Sequence, residues 1–333
     1  MYTIRTKNIV IKSFIMNVRL LSYLKSIFIR TLLFLMLFIP YKTLNCQNAS
    51  NNYPNALNLV FSSSSFIHVN EMDAMASLSI YINKYKTGWE EESGQIVDAK
   101  IITISETNTI ESILDTGVPS LFQITSIDYI ENERIMNTRP YAIGVSVPGG
   151  LEEFALLVRK ESNIESISDL KNKNVVITGG MSGLLAEMWL ETNLLENFQQ
   201  MSTQYFNKID FVESSSKAMI NLFFKNYDAC IVNTYSFEIL SEMNPQMREQ
   251  IVAIDISEGL LPTVTVLVNS DDKTFNDYVT DYSLNLPNET HSKQMLALFR
   301  INEIILYEDK YLDNVRKLIK KYKSLSRKYL SKK

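Results

Sequence analysis

The sequence contains few of the residues from which metal sites, disulfide frameworks and acid–base catalysts are built. Its 333 residues include two cysteines, Cys46 and Cys230, and two histidines, His68 and His291. Two cysteines allow at most one disulfide bond, and no metal-ligand spacing is present. Cys230 lies in an apolar strand pattern and is interpreted as a small core residue. We therefore expect no metal and no cofactor. We also expect no catalytic residue, because a serine nucleophile would have only His68 near it in sequence as a base.

Long runs of like charge are also absent before the C-terminus. The net charge is −4, and the composition of 46% hydrophobic and 21% charged residues is that of ordinary globular proteins. The basic residues of the stretch 326–333 follow an amphipathic helix pattern. We interpret them as a solvated helix end rather than a nucleic-acid-binding arm. The length of the chain suits two domains.

The apolar run near the N-terminus is too short to cross a membrane. Residues 31–40 are uncharged and follow basic residues between Arg19 and Arg30, which is the pattern of a signal peptide. We expect residues 1–46 to be a signal peptide and residues 47–56 to be a polar linker. The mature protein is therefore expected to be periplasmic.

The start and the end of this signal each have two readings. Met1 and Met16 can both begin the chain, and the version from Met16 has a signal of ordinary length. At the other end, Cys46 fits a lipoprotein signal badly, because Thr43 and Asn45 stand where a Leu and a small residue are expected. Removal after Cys46 is slightly favoured over a lipid anchor on that residue.

An α/β pattern of strands and helices occurs twice along the chain. A shift of 108 residues places residues 100–104 on 208–212 and residues 120–124 on 228–232. Each copy predicts three strands with two helices between them, which indicates a parallel sheet with crossover helices. Few side chains are identical between the copies. The repeat therefore indicates shared architecture, and the alternative is that any two βαβ segments look alike.

Hydroxyl, amide and glycine residues follow the predicted strands of both copies. In open α/β sheets, ligands bind outside the carboxyl ends of the strands, where helix N-termini hold an oxyanion with backbone N–H groups. The same residues are also ordinary helix caps, so each has a purely structural alternative. The predicted ligand-binding residues are Ser62, Ser63, Ser64, Ser65, His68, Thr125, Thr178, Gly179, Gly180, Ser182, Gly183, Ser214, Ser215, Ser216, Asn233 and Tyr235.

Charged residues near these strand ends are few. Glu106 and Glu213 follow the second strand of each copy and are placed to meet an amine on a zwitterionic ligand, although a solvated turn carboxylate is favoured. Lys217 is interpreted as a surface lysine and Tyr129 as a packing residue. Arg159 interrupts an apolar strand, and we expect it to be a salt-bridged residue of a hinge.

Three stretches resemble elements of the phosphate/phosphonate-type periplasmic binding proteins of ABC transporters. Residues 154–176 (FALLVRKESNIESISDLKNKNVV) resemble the hinge strand and the S-x-x-D-L-K-G-K signature that follows it. Residues 222–232 (LFFKNYDACIV) resemble the lf-x-G-x-x-D-A element, and residues 244–246 (NPQ) resemble the N-P-x turn. The resemblance extends over nearly the whole mature chain, from about Leu57 to Leu330.

This resemblance implies an α/β fold of the type II periplasmic-binding-protein class. Two lobes, each a mainly parallel sheet flanked by helices, are expected to be joined by two hinge crossings. We expect one lobe to contain residues 57–146 and 256–330, and the other to contain residues 147–255. Two helices, at residues 289–305 and 311–330, are expected to complete the first of these lobes.

The resemblance further implies an extracytoplasmic solute-binding protein, expected to be a monomer. It would capture a small oxyanion or zwitterion between its lobes and deliver it to an ABC permease. Where phosphonate binders of this family carry Ser-Thr-Ser-Gly, this chain has Gly180-Met-Ser-Gly183, which lacks two donors, so phosphate, phosphonate and sulfonate all stay open. A ligand-sensing partner of a membrane histidine kinase is the alternative, and an enzyme on the same fold is a second alternative.

Overall fold

The computed structural model describes residues 54–66, 71–290 and 292–331. The expected signal peptide, Cys46, His68 and the linker up to residue 53 lie outside the described residues. Among the described residues, no helix is both long enough and apolar enough to span a membrane.

Eleven β-strands in the described residues form two sheets. The strands are β1 (Ala56–Phe61), β2 (Asp98–Thr103), β3 (Ser120–Thr125), β4 (Ala142–Val145), β5 (Phe154–Arg159), β6 (Asn174–Thr178), β7 (Lys208–Val212), β8 (Ala229–Asn233), β9 (Ile251–Ile256), β10 (Thr263–Val268) and β11 (Glu303–Leu306). One sheet has the order β11-β4-β10-β3-β1-β2, and the other has the order β7-β6-β8-β5-β9. Strands β1 to β3 and β6 to β8 pair in parallel, whereas β5, β9, β10 and β11 pair antiparallel to their neighbours.

Eleven α-helices in the described residues cover the sheets. They are α1 (Glu71–Ser93), α2 (Ile110–Leu114), α3 (Ser126–Met136), α4 (Met181–Phe198), α5 (Ser202–Tyr205), α6 (Ser215–Phe223), α7 (Thr234–Met243), α8 (Pro245–Gln250), α9 (Lys273–Asn285), α10 (Ser292–Leu298) and α11 (Asp313–Leu330). A short 3-10 turn at Ser63–Phe66 follows β1.

Each sheet has helices on both faces because its strands are apolar at successive positions. In β1, Leu59 packs in a cluster with residues of α1, α9 and α10, whereas its neighbour Val60 packs in another cluster with residues of α2 and α3. In β5, Leu157 packs with α6 and α8, whereas Leu156 packs with α4. Successive side chains of a strand point to opposite faces, so both faces are buried. We call the six-stranded sheet with its helices the first lobe, and the five-stranded sheet with its helices the second lobe.

The chain passes between the lobes at two segments that lie side by side. One runs from β4 to β5 and the other from β9 to β10. Between them, Glu152 and Leu260 form an isolated antiparallel bridge, with N–O distances of 2.8 and 2.9 Å in the two directions. The expected two-lobed α/β fold with two hinge crossings is confirmed, while the residue limits of the lobes stay a prediction.

The C-terminal part of the chain differs from the expectation at one element. The helix expected at residues 289–305 is wrong, because α10 covers only Ser292–Leu298 and Glu303–Leu306 is the edge strand β11 of the first sheet. Arg300 ends the helix with a left-handed backbone (φ 56°), and an apolar pair, Ile304 and Ile305, suits a strand. The expected final helix is present as α11, and since it forms ion pairs with both lobes, its assignment to the first lobe stays a prediction.

Candidate ligand-binding cleft

A cleft of about 580 Å³ lies between the two lobes. This volume is within the usual range for pockets that hold small molecules. Its walls come from the ends of strands in both lobes and from the segment after α10. The residues that line it include Ser64, Ser65, Ser146, Glu152, Thr178, Gly179, Gly180, Met181, Ser182, Glu213, Ser215, Asn233, Tyr235, Phe299 and Arg300.

The structure brings together nine of the sixteen predicted ligand residues and places the others elsewhere. The nine that line the cleft are Ser64, Ser65, Thr178, Gly179, Gly180, Ser182, Ser215, Asn233 and Tyr235. Six described residues do not line it, namely Ser62, Ser63, Thr125, Gly183, Ser214 and Ser216. The remaining one, His68, lies outside the described residues.

Ser62 and Thr125 are held by the carboxylate of Asp128. The Ser62 hydroxyl donates to Asp128 Oδ2 and accepts from the Thr125 N–H at 3.0 Å. The Thr125 hydroxyl donates to the same carboxylate oxygen at 2.8 Å and also caps helix α3 by accepting from the Asp128 N–H at 3.0 Å. Both residues are buried, so this network joins β1, β3 and α3 beneath the rim of the cleft.

Two helices of the second lobe have caps supplied by their own side chains. Ser214 accepts from the Lys217 N–H at 3.2 Å at the start of α6. Asn233 accepts from the Ser236 N–H at 2.7 Å at the start of α7. Such caps satisfy one of the free N–H groups of a helix N-terminus. At these two helices, therefore, one backbone donor is already used within the protein.

Helix α4 begins without a side-chain cap. Its N-cap residue is Gly180, with a φ of 86°, and no side-chain hydrogen bond is made there. The backbone N–H of Gly179 bonds the carbonyl of Val212 at 2.8 Å, which fixes the loop. Beside it, the Thr178 hydroxyl is buried and has no hydrogen-bond partner among the described residues. The free N–H groups and the positive end of the α4 dipole therefore face the cleft beside an unused hydroxyl.

Gly183 positions this helix although it does not line the cleft. A Cβ atom built on Gly183 would lie 2.5 Å from the Thr178 carbonyl oxygen, a backbone atom that a rotamer change cannot move. A residue without a side chain thus lets α4 start directly against the end of β6. This close approach brings the α4 N-terminus to the edge of the sheet.

The charged residues of the cleft are Glu152, Glu213 and Arg300. The Glu152 carboxylate is 2% exposed and accepts from Ser146 Oγ at 2.5 Å. The Glu213 carboxylate is half exposed and pairs with Lys217 at 2.9 Å, so Lys217 is tied to this turn. Glu106, the other carboxylate considered as an amine partner, is exposed and does not line the cleft.

Arg300 reaches across the cleft from the first lobe. The ring of its neighbour Phe299 stacks on Phe61 of β1, with ring centroids 5.9 Å apart. The Arg300 guanidinium donates to the backbone carbonyl of Glu213 in the second lobe. A second contact between the lobes joins Ser65 Oγ to the sulfur of Met181 at 3.3 Å. The two walls are therefore in direct contact across the cleft in this structure.

Sequence reasoning missed Glu152 and Arg300. Glu152 lies two residues after the Gly149-Gly150 pair, between predicted elements, where a glycine pair indicates no more than a flexible connection. Arg300 lies within a region predicted to be helix, where a basic residue resembles any solvent-facing position. The left-handed conformation of Arg300 has no reliable signal in a single sequence, because Asn and Gly are the residues that usually adopt it.

Three further predicted roles concern residues away from the cleft. Arg159 is 8% exposed, and its guanidinium donates to the carbonyls of Leu222 and Tyr227 at 2.7 Å, with Glu161 at 3.9 Å. The guanidinium is thus held mainly by hydrogen bonds to two backbone carbonyls, and the expected salt bridge is the longer contact. Tyr129 is buried packing, and burial raises the pKa of the Cys230 thiol, as expected for a core residue. No group of residues in the described part of the chain has the composition of a metal site.

Comparison with known protein families gives one match over most of the chain. Residues 91–312 match the family described as "ABC transporter, phosphonate, periplasmic substrate-binding protein". No sequence among the curated proteins matches this chain.

Among the solved structures of similar fold are one from Xanthomonas citri and one from Pseudomonas aeruginosa. The protein XAC2383 from Xanthomonas citri, bound to chloride ion, is 14% identical with a TM-score of 0.55, covering 82% of this chain and 99% of that chain. A binding protein component of an ABC phosphonate transporter from Pseudomonas aeruginosa is 15% identical with a TM-score of 0.52. That alignment covers 83% of this chain and 89% of the other. At these identities, the likeness shows a common fold.

Proposed function

Because the chain belongs to the family of phosphonate ABC-transporter periplasmic substrate-binding proteins, we propose that its cleft binds a small oxyanion or zwitterion of the phosphate, phosphonate or sulfonate class and delivers it to an ABC permease. A solute-binding role and an extracytoplasmic location follow from the family itself. The class of ligand and the residues that hold it are the proposed part.

The uncapped N-terminus of α4 is the observation that supports the proposal. Its backbone N–H groups and helix dipole favour an anion without needing Lys or Arg. The Thr178 hydroxyl, which is buried and unpartnered among the described residues, adds a donor at the same place. Ser182 and Ser215 line the cleft from the starts of α4 and α6. An oxyanion bound here would satisfy polar groups that are otherwise unused.

The other predicted cleft residues have smaller roles in this proposal. Ser64 and Ser65 supply hydroxyls from the first lobe, and Tyr235 forms part of the opposite wall. Asn233 already caps α7 with Oδ1, and its Nδ2 donates to Glu152 Oε2 at 3.4 Å, so one amide N–H is left for a ligand. Contact with both lobes would favour the closed form, because a ligand shifts the equilibrium by its difference in affinity between the two states.

A thermal-unfolding panel on the mature chain tests this proposal. The panel contains phosphate, phosphite, methylphosphonate, ethanesulfonate, sulfate and the zwitterions aminomethylphosphonate and taurine, with sodium chloride at equal ionic strength as the control. A ligand that binds only the folded state stabilises it, by about 2.7 kcal/mol at a ligand concentration of about 100 Kd. The midpoint temperature of unfolding therefore rises. A shift with at least one anion, recovered chemically unchanged, supports a binding protein. No shift with any of them contradicts the proposal.

The proposal also includes export and the binding unit. We propose that residues 1–46 are removed as a signal peptide and that a single chain binds one ligand. The intact mass of the protein recovered from the periplasm shows whether cleavage occurs after Cys46 or a lipid is attached there. Titration calorimetry gives the number of ligands per chain.

A further inference from the structure

Glu152 is a charged side chain buried at the base of the cleft. It is 2% exposed, yet it lines the cleft together with Ser146 and Asn233. Its backbone pairs with Leu260 of the other crossing segment in both directions. The position of the side chain is therefore fixed by the two crossing segments rather than by a mobile loop.

The hydrogen-bond partners of this carboxylate are neutral. Oε1 accepts from Ser146 Oγ, which follows β4 of the first lobe, at 2.5 Å. Oε2 accepts from Asn233 Nδ2, at the end of β8 of the second lobe, at a long 3.4 Å. No Lys, Arg or His nitrogen lies within ion-pair distance of Glu152 in the part of the chain that the structure describes. A buried carboxylate without a counter-ion is costly, and such groups concentrate at functional sites.

The other carboxylates near the cleft do not share this arrangement. Glu213 pairs with Lys217 and is half exposed, so its charge is already balanced and solvated. Glu106 is exposed and lies outside the cleft. Glu152 thus differs from both in being buried, unbalanced by a cation and open to the space that a ligand would occupy.

We infer that Glu152 binds a positively charged ammonium group of the ligand, so that the cleft prefers a zwitterion over a simple anion. This inference rests on the proposed function, because the anionic end of the same ligand would lie at the α4 N-terminus and Thr178. The ammonium group donates hydrogen bonds to the carboxylate oxygens and supplies the missing positive charge. Charge-assisted hydrogen bonds of this kind are stronger than neutral ones.

Paired ligands that differ by one amine test this inference. The pairs are aminomethylphosphonate with methylphosphonate, and taurine with ethanesulfonate, measured by titration calorimetry on the mature chain. In at least one pair the amine-bearing member should bind the wild-type protein at least about tenfold more tightly, which corresponds to about 1.4 kcal/mol. N-acetylaminomethylphosphonate, whose amide carries no positive charge, should lose this advantage.

The Glu152→Gln variant keeps the size of the side chain and removes its charge. We expect the preference for the amine-bearing ligand to disappear while the affinity for methylphosphonate stays within about twofold. The matched control is Glu106→Gln, an exposed carboxylate after β2 that does not line the cleft, which should keep the preference. A preference that persists in Glu152→Gln would overturn the inference.

The outcomes separate this inference from the proposed function. Equal affinities for both members of each pair overturn the role of Glu152 but leave an anion-binding protein. If no compound in either pair binds, the role of Glu152 is overturned, and the phosphate, phosphite and sulfate of the thermal-unfolding panel decide the proposed function. If Glu152→Gln does not fold, as judged by circular dichroism, the comparison of paired ligands on the wild-type protein decides alone.

Discussion

Arg316 of α11 and Glu133 of α3 form a two-point ion pair, with N–O distances of 2.6 and 2.7 Å. The same helix α11 also pairs with the second lobe, through Lys321 and Glu196 at 2.7 Å. The C-terminal helix therefore contacts both lobes, in addition to the two crossing segments. A hinge motion that separates the lobes therefore has to break one of these ion pairs or move α11 with both lobes.

We predict that Arg316→Met lowers the free energy of unfolding by less than about 1 kcal/mol at neutral pH, because both side chains are partly exposed and screened by solvent. Hydrogen bonds from Arg316 hold the pKa of Glu133 below its usual range, against a smaller opposing effect of burial. A lowered folded-state pKa gives stability that is present above the unfolded value and is lost as the pH falls through the folded value.

The difference between wild type and Arg316→Met should therefore shrink as the pH falls below the ordinary Glu pKa of about 4.3. Urea unfolding at several pH values measures it. Lys320→Met is the control, since Lys320 is an exposed residue of the same helix and forms no salt bridge within the described residues. A difference that is independent of pH would rule out the ion pair as its cause.

Ser62→Ala should lower stability and leave anion affinity unchanged. The variant removes a hydroxyl that donates to Asp128 and accepts from the Thr125 N–H, both in a buried network. Leaving such partners unsatisfied costs about 1–3 kcal/mol. Chemical unfolding and ligand titration together check this, with the exposed Ser63→Ala as the control. Lost affinity with unchanged stability would instead place Ser62 on the ligand.

Ser182→Ala and Ser215→Ala should each weaken anion binding by about 1 kcal/mol, the usual effect of losing one hydrogen bond to a bound group. Both residues line the cleft at helix N-termini of the second lobe. Titration calorimetry with the anion that gives the largest thermal shift provides the measurement. The comparison variant is Ser216→Ala, whose exposed side chain does not line the cleft. Equal affinities in all three variants would show that the anion does not bind at the starts of these two helices.

Gly183→Ala should reduce anion affinity more than the loss of any single hydroxyl. The added methyl group would meet the Thr178 carbonyl oxygen at 2.5 Å, so the start of α4 has to move away from β6. We expect a loss of about tenfold or more, equivalent to about 1.4 kcal/mol. Circular dichroism separates this effect from unfolding. An unchanged affinity would show that the position of the α4 N-terminus is not important for binding.

Arg300→Met should make the ligand dissociate faster. The Arg300 guanidinium joins the first lobe to the Glu213 carbonyl of the second, so its loss favours the open form. Stopped-flow measurements of association and dissociation separate the two rates. Arg300→Lys keeps the positive charge but replaces the guanidinium by an ammonium group. Its dissociation rate is expected to lie between those of wild type and Arg300→Met. A change confined to association would indicate electrostatic attraction rather than closure.

Local signals in the sequence were sufficient for most of the regular structure. Strands β1, β3, β6 and β8 are short apolar runs, and at the ends of β3 and β8 the residues Thr125 and Asn233 cap helices where the pattern indicated. These features depend on residues a few positions apart. The helix expected at residues 289–305 failed because the left-handed turn at Arg300 and the pairing of β11 with β4 depend on distant partners.

The four consecutive serines after β1 show why the site could be predicted only in part. Ser62 binds Asp128, Ser63 is exposed, and Ser64 and Ser65 line the cleft. The four side chains are chemically identical, so the sequence predicted ligand contact for each of them alike. The direction of each side chain follows from the 3-10 turn and from what lies opposite it.

The sequence by itself determined two α/β units with parallel strands, because strand, turn and helix patterns are local, and its resemblance to a known family implied that the two units form lobes joined by two crossings. It also determined that helix N-termini and hydroxyl groups gather at strand ends. Only the tertiary structure decided which of those donors remain free. It brought Asn233 at the end of β8 together with Glu152 and Ser146 of the β4–β5 crossing segment, and it left the α4 N-terminus without a side-chain cap. Burial and hydrogen-bond partners depend on residues far apart in the chain, and no local pattern encodes them.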